Sequence, residues 1–258
     1  MKIISLLENT TERDDMAVEH GLSLYIEAGG HRILFDMGQT HLFAQNARTL
    51  GVSLEDVDIA VLSHGHYDHS GGLKKFLEIN SHAPVYLHRD AFLPHYNGTQ
   101  KYIGLDPSLR DQPRLTFTTD LYRISPFLTL FSCNDRARRS PLLPSGLTEK
   151  QEEAFIPDDF RHEQYLLIEE AGRRVLISGC SHKGILDIAA WFSPDVLVGG
   201  FHFSKLPLDH HLIQAAKALD AYPTEFYTCH CTGREQYEFM GQYMPRLHYL
   251  SCGQVLDI

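Results

Sequence analysis

Leu22, Leu24 and Ile26 alternate with their neighbours, the period-two signature of a strand buried on one face. Gly29-Gly30 then turns the chain and Ile33-Leu-Phe35 returns it, predicting a hairpin. A helical spacing follows: Leu42, Phe43, Asn46, Ala47 and Leu50 share one side, with Thr40 as N-cap and Gly51 as the residue that ends it. Asp58-Ile-Ala-Val-Leu-Ser63 is a short apolar run bounded by polar residues, the pattern of a buried strand. Leu73, Phe76 and Leu77 resume helical spacing, and Pro84-Val-Tyr-Leu-His88 predicts the next strand. The same grammar returns later. Gln164-Tyr-Leu-Leu-Ile168, a turn at Gly172 and Arg174-Val-Leu-Ile-Ser178 predict a second hairpin. Asp195-Val-Leu-Val198 and Glu225-Phe-Tyr-Thr228 predict strands. A helix starting at Asp209 places Leu212, Ile213, Ala216 and Leu219 on one face, and Thr232 with Glu235 is spaced as a capping box for a last helix. Hairpins and strand–helix units thus alternate in both halves, which predicts an α/β protein, and the halves share no visible repeat.

Between about 94 and 160 the periodicity fades, apart from stretches such as Leu115 to Thr118. Seven of the twelve prolines fall there: Pro94, Pro107, Pro113, Pro126, Pro141, Pro144 and Pro157. This predicts a long insertion with short strands folded over the site. Its candidate roles are closure on a ligand and a homodimer contact.

Composition narrows the function classes. A chain of 258 residues with 43% hydrophobic content builds a sizeable core. A net charge of −10 argues against broad nucleic-acid or anionic-membrane binding, so neither partner is expected. No stretch approaches the ~18 apolar residues of a membrane span, and the N-terminus lacks the cleavage pattern of a signal peptide. The five cysteines are odd in number and form no regular framework, which fits a reducing compartment; a soluble cytoplasmic protein is expected.

Residues 64 to 69 read His-Gly-His-Tyr-Asp-His, placing His64, His66, Asp68 and His69 between a buried strand and a Gly71-Gly72 turn. Open α/β sheets collect ligands at such strand ends. His64 and His66 point the same way from extended chain and suit one metal ion; Asp68 and His69, past the turn, suit a second. Imidazole with carboxylate suits zinc, manganese or iron. Two such ions about 4 Å apart share a bridging hydroxide that attacks an electrophile. Three further strand ends carry His182, His202 and His230.

Ser63-His-Gly-His-Tyr-Asp-His-Ser-Gly-Gly72 resembles the H-x-H-x-D-H motif of the metallo-β-lactamase superfamily. Gly21-Leu-Ser-Leu-Tyr-Ile-Glu and Arg32-Ile-Leu-Phe-Asp-Met-Gly38 resemble its opening hairpin. Ser178-Gly-Cys-Ser-His-Lys-Gly184, Gly199-Gly-Phe-His202 and Cys229-His-Cys-Thr-Gly233 resemble the branch labelled 7,8-dihydropterin-6-methyl-4-(β-D-ribofuranosyl)-aminobenzene-5'-phosphate synthase-like. The resemblance implies an αββα sandwich, two mixed β-sheets flanked by helices, as a single domain over 1–258. It also implies two divalent metal ions, zinc first with manganese or iron as alternatives.

By the same resemblance, His230 joins Asp68 and His69 on the second metal. In the superfamily a histidine ahead of the Leu-Ile-Ser-Gly-type strand completes the first site, and an aspartate at its end bridges the two ions. Here Cys180 occupies the bridging position and the earlier segment reads Arg161-His-Glu-Gln-Tyr165. His182 is therefore assigned to the first metal, with His162 and Glu163 as fallback ligands. Cys180 is assigned to packing or to support behind the ligands, with thiolate ligation left open. Asp68 both ligates and orients the hydroxide, and His202 delivers a proton to the leaving group. Asp36 orients a histidine through its ring N–H, and His88 either touches the site or is structural. Cys229 and Cys231, on either side of His230, are expected to pack in the core by strand alternation. Lys101, Arg136, Arg138 and Arg139 are candidate phosphate contacts. His20, His31, His41, His82, His210, His211 and His248 receive no role. The expected activity is metal-dependent hydrolysis of a small phosphorylated or phosphodiester substrate. A synthase-like transferase, and a metal-stabilised ligand-binding or sensor protein without turnover, are the alternatives.

Overall fold

The computed structural model describes residues 1–140 and 145–258; Pro141 and Pro144, two of the prolines marking the expected insertion, lie outside them. Two seven-stranded mixed sheets stack face to face. The first runs, in spatial order, Val255–Asp257, Lys2–Leu7, Ser23–Ala28, His31–Phe35, Ile59–Val61, Val85–His88 and Leu115–Thr118. The second runs Leu247–Tyr249, Glu225–Thr228, Val196–Val198, Arg173–Ile177, Tyr165–Glu170, Leu128–Phe131 and Leu121–Arg123.

Side-chain alternation divides the apolar residues among three layers. Ile59 and Val61 face the second sheet together with Leu24, Ile26, Leu166 and Ile168. Ala60 and Leu62 face outward, under the helices Leu42–Thr49 and Leu73–Ile79. On the far side Tyr165, Leu167 and Leu176 pack beneath Ile185–Phe192 and His210–Asp220. The result is the expected αββα sandwich. No helix of the described residues is long and apolar enough to cross a membrane.

Both sheets begin as antiparallel hairpins and become parallel in the strands that carry chemistry. Parallel strands end at one edge of a sheet, so Asp36, His64, His182, His202 and His230 emerge at strand ends that converge. Gln164 ties the two sheets there. Its amide nitrogen donates to the carbonyl of Leu62 at 2.8 Å, and its side-chain oxygen accepts from the Thr118 hydroxyl at 2.6 Å.

The stretch expected as an insertion divides in two. Leu115–Thr118, Leu121–Arg123 and Leu128–Phe131 are strands of the main sheets. The rest contributes a separate four-stranded sheet of Ala154–Pro157, Leu147–Gln151, His95–Asn97 and Lys101–Tyr102. That part docks on the histidine motif through the Tyr67 amide, which donates to the Ile103 carbonyl at 2.8 Å. Its strands are short and half exposed, so they carry little of the alternation that marks a buried strand.

Two local expectations are corrected. The first helix has His41 at its N-cap, one residue after Thr40, whose hydroxyl still accepts from the Leu42 amide at 3.3 Å. Thr232 does not cap the last helix, which starts after Gly233. Its hydroxyl instead accepts from the Phe201 amide at 2.8 Å, because the tertiary fold brings the Gly199–Gly200 turn alongside.

Candidate metal centre

Asp36 stands just past its strand in the left-handed region, φ 59°, which Asp tolerates better than most residues. It is fully buried, and its side-chain hydrogen bonds lead to the motif. One oxygen accepts from the Ser63 amide at 2.7 Å; the other accepts from His69 Nδ1 and from the Ser63 hydroxyl, each at 2.7 Å. With its proton given to Asp36, Ser63 Oγ accepts from His64 Nδ1 at 2.7 Å. One carboxylate therefore sets the orientation of two histidines, directly for His69 and through Ser63 for His64. Asn9 does the same for His230, its side-chain oxygen accepting from Nδ1 at 2.8 Å. In this network all three rings carry hydrogen on Nδ1 and turn Nε2 inward.

The inward nitrogens meet in two groups. His64 Nε2 lies 3.3 Å from His182 Nε2, and His66 completes a buried set whose ligand atoms all lie within 4.8 Å. His69 Nε2 lies 3.2 Å from His230 Nε2, with an Asp68 oxygen 3.5 Å from the latter and 4.0 Å from the former. Cys180 Sγ is 3.1 Å from His69 Nε2 and clusters both with His64 and His69 and with His230 and Cys231, so it stands between the groups.

The electrostatics suit cations. Burial, then the neighbouring rings, hold His64, His66 and His182 well below the usual histidine pKa, so they are neutral, unprotonated ligands. Burial also lowers His230 to about 4. His69 differs: burial opposes its charge, but Asp36 and Asp68 outweigh it and lift its pKa to about 9. Burial likewise works against the Asp68 carboxylate, yet His69, His20 and His230 hold it well below the usual range. The His69 and His230 Nε2 atoms and the Asp68 carboxylate thus converge on a space where positive charge is favoured. Two three-ligand groups, N3 and N2O, match the donors that hold zinc, manganese or iron.

The remaining predicted residues fall as follows. His202 has φ 58°, its ring lies tilted with its centroid 4.4 Å from that of His182, and burial brings its pKa to about 4. It borders a cavity of about 480 Å³ whose walls include Phe160, Phe201, Phe203, Leu206 and Leu212. Glu163 accepts from the His182 and Lys183 amides at 2.7 and 3.0 Å and from the Tyr165 hydroxyl at 2.5 Å, so it shapes the loop that carries His182. His162 Nδ1 accepts from the Gly65 amide at 3.0 Å. His88 bonds locally to the Asp90 amide. Lys101 Nζ donates to the Tyr67 hydroxyl at 3.1 Å, on the rim of the motif. Arg136 and Arg138 donate to the carbonyls of Trp191 and Asp159, and Arg139 uses its amide on Asp187.

The expectation for Cys231 is corrected. Cys229 packs between the sheets, but His230–Thr232 is a 3-10 turn and not a strand, so alternation fails and Cys231 turns towards Cys180. The structure also adds residues the sequence does not single out. His20 Nε2 lies 3.3 Å from the Asp68 carboxylate, and Glu8 accepts from the His230 amide at 2.6 Å. His95 and Asp158 join His66 and His162 in a further buried group. Apart from the contact of Asp158 with His162 four residues on, these residues act across long separations in sequence, so no local pattern marks them.

The chain is similar to known proteins over most of its length. A family model for the metallo-beta-lactamase superfamily matches residues 17–217. The chain is 28% identical, over 99% of its length and 100% of the other's, to an uncharacterized protein of Methanocaldococcus jannaschii. It is 26% identical to the 7,8-dihydropterin-6-methyl-4-(beta-D-ribofuranosyl)-aminobenzene-5'-phosphate synthase of the same organism, covering 92% of this chain and 90% of that one. The crystal structure of Tm1679, a metal-dependent hydrolase of the beta-lactamase superfamily, matches with a TM-score of 0.83 and 28% identity over 100% of this chain and 99% of that one.

Proposed function

This chain belongs to the metallo-β-lactamase superfamily, and from that premise we propose that it is a metal-dependent hydrolase of a small phosphorylated or phosphodiester compound. The observation that carries the reading is the pair of inward-facing ligand groups, with His64, His69 and His230 oriented by hydrogen bonds behind their rings. His64, His66 and His182 would hold one divalent ion, and Asp68, His69 and His230 the other. When bound, such ions lower the pKa of water enough to supply a nucleophile at neutral pH and neutralise charge as it develops.

The protein's own groups do the positioning. Asp36, Ser63 and Asn9 fix the ring orientations, so little reorganisation is needed when ions and substrate arrive. His202 stands between the His182 ring and the cavity, where it meets a substrate oxygen. With a pKa near 4 it is neutral at pH 7 and serves as a hydrogen-bond donor; an arriving phosphate anion raises that pKa towards the value proton delivery requires. The aromatic and aliphatic walls of the cavity suit a flat, apolar portion of the substrate. Lys101, beside Tyr67 of the histidine motif, suits the substrate's phosphate, whereas Arg136 and Arg138 are already engaged with carbonyls.

The similarity to a synthase over 92% of the chain favours a second reading, a synthase-like transferase at the same centre. One experiment separates them. Protein loaded in turn with zinc, manganese and ferrous iron is incubated with phosphomonoesters and phosphodiesters bearing apolar or heteroaromatic groups, and products are identified by mass spectrometry. Metal-dependent release of phosphate or alcohol, abolished in Asp68→Ala with an unchanged circular dichroism spectrum, is the expected result. Products larger than either reactant favour the transferase. Tight binding without turnover in every metal form sinks both and leaves a ligand-binding protein.

A further inference from the structure

The small third sheet brings another set of ligand-type side chains against the histidine motif. His95 begins its strand, and Asp158 and His162 follow the end of Ala154–Pro157. These three and His66 are buried, and one ligand atom from each lies within 4.8 Å of the others. An Asp158 oxygen lies 2.8 Å from His95 Nδ1 and 3.4 Å from His162 Nε2, while its other oxygen accepts from the Phe160 amide at 2.8 Å.

Two features of this group call for a cation. Among the described residues no lysine or arginine nitrogen pairs with the Asp158 carboxylate; the adjacent Arg161 pairs instead with Glu149, Asp90 and Asp159. The side-chain partners of Asp158 are the His95 and His162 rings, and a buried carboxylate that no lysine or arginine balances is costly. In addition, the Nε2 atoms of His66 and His95 are buried without a hydrogen-bond partner. Orphaned nitrogens of this kind are rare unless something else satisfies them.

The roles within the group differ. The Gly65 amide donates to His162 Nδ1, so the neutral ring carries its proton on Nε2 and faces Asp158 as a donor. His162 is thus the positioning residue. His66, His95 and Asp158 remain as three ligands, an N2O set of the kind that leaves a coordination position open. The His66 ring stands between this set and the first, with its centroid 4.6 Å from that of His64, 4.9 Å from His182 and 5.5 Å from His95. His66 thus belongs to both buried groups.

We propose that His66, His95 and Asp158 form a third site for a divalent transition-metal ion such as zinc, beside the two-ion centre and oriented by His162. The site rests on the two-ion reading only for its neighbour and requires no particular reaction.

The test is a metal count on the full chain. Wild type, Asp158→Asn, His182→Ala and the double variant are stripped, reloaded with zinc, desalted and measured by plasma mass spectrometry, with circular dichroism and thermal melting to check folding. Asp158→Asn and His182→Ala should each lose one ion relative to wild type, and the double variant two. A wild-type count in Asp158→Asn overturns the third site. So does a double variant that loses only one ion, since Asp158 then supports the ion that His182 holds. His95→Gln repeats the count should Asp158→Asn fail to fold. An ion that depends on His182, with none that depends on Asp158 or His95, leaves the two-ion centre standing and removes this site alone.

Discussion

Asp36→Asn tests the reasoning about the centre most directly, because it changes one charge and almost no volume. Asn also tolerates the left-handed backbone at this position, φ 59°. The new amide nitrogen must face either the Ser63 amide or the Ser63 hydroxyl and His69, so at least one donor meets a donor. Losing support of this kind behind a metal ligand costs about 10–100-fold in metal affinity. The pH profile gives the sharper test. In wild type the proton on His69, with its pKa of about 9, must leave before the second ion binds, which weakens binding about 100-fold at pH 7 but only about 2-fold at pH 9. Second-site affinity should therefore rise about 50-fold between pH 7 and 9. Without the Asp36 charge and its hydrogen bond the His69 pKa falls, and the rise over the same range shrinks. Competition against a chromophoric zinc chelator at buffered free zinc measures both profiles. Parallel curves for wild type and variant would refute the claim that Asp36 controls His69. The folding linkage has a matching sign. A histidine pKa raised above its unfolded value stabilises the metal-free fold below about pH 6.5, and this contribution is lost as pH rises through about 9. Stripped wild type should accordingly lose more melting temperature between pH 7 and 9 than stripped Asp36→Asn.

Other outcomes follow from the same geometry. His202→Asn keeps the backbone conformation and should keep its metal content, while kcat falls about 10²–10⁴-fold; an unchanged kcat removes His202 from the reaction. In Gly179→Ala the added carbon would lie 2.2 Å from Ser63 Oγ and 3.2 Å from an Asp36 oxygen. The variant should lose about 1–3 kcal/mol in denaturant melts, together with bound metal; a wild-type midpoint would show that the Ser63–Asp36 link moves aside freely. Adding zinc to stripped protein at a hundredfold excess over its Kd should stabilise the fold by about 2.7 kcal/mol for each independent site, read as a rise in melting temperature. No rise would contradict a preformed centre.

The sequence by itself determined what local pattern encodes. Leu24 and Ile26, or Ile59 and Val61, alternate because strand side chains project to opposite faces with period two, so the sheets and their buried faces are legible. His64, His66, Asp68 and His69 are legible because the turn that gathers them is six residues long. The expectation that strand ends converge likewise brought in His182, His202 and His230. The sequence points to Asp36 behind a histidine, but only the tertiary structure decided which one, and what stands behind the others. Asp36 reaches His69 across 33 residues, Asn9 reaches His230 across 221, and His95 reaches Asp158 across 63. No spacing rule links such pairs, since sheet register and the docking of the third sheet set their distances. The same holds where an expectation failed. Thr232 turned to Phe201 and Cys231 turned towards Cys180 because a neighbouring strand end offered a partner that the local sequence does not contain. Local periodicity specifies which face of an element is buried; which polar groups meet at the end of that element depends on how the two sheets stack.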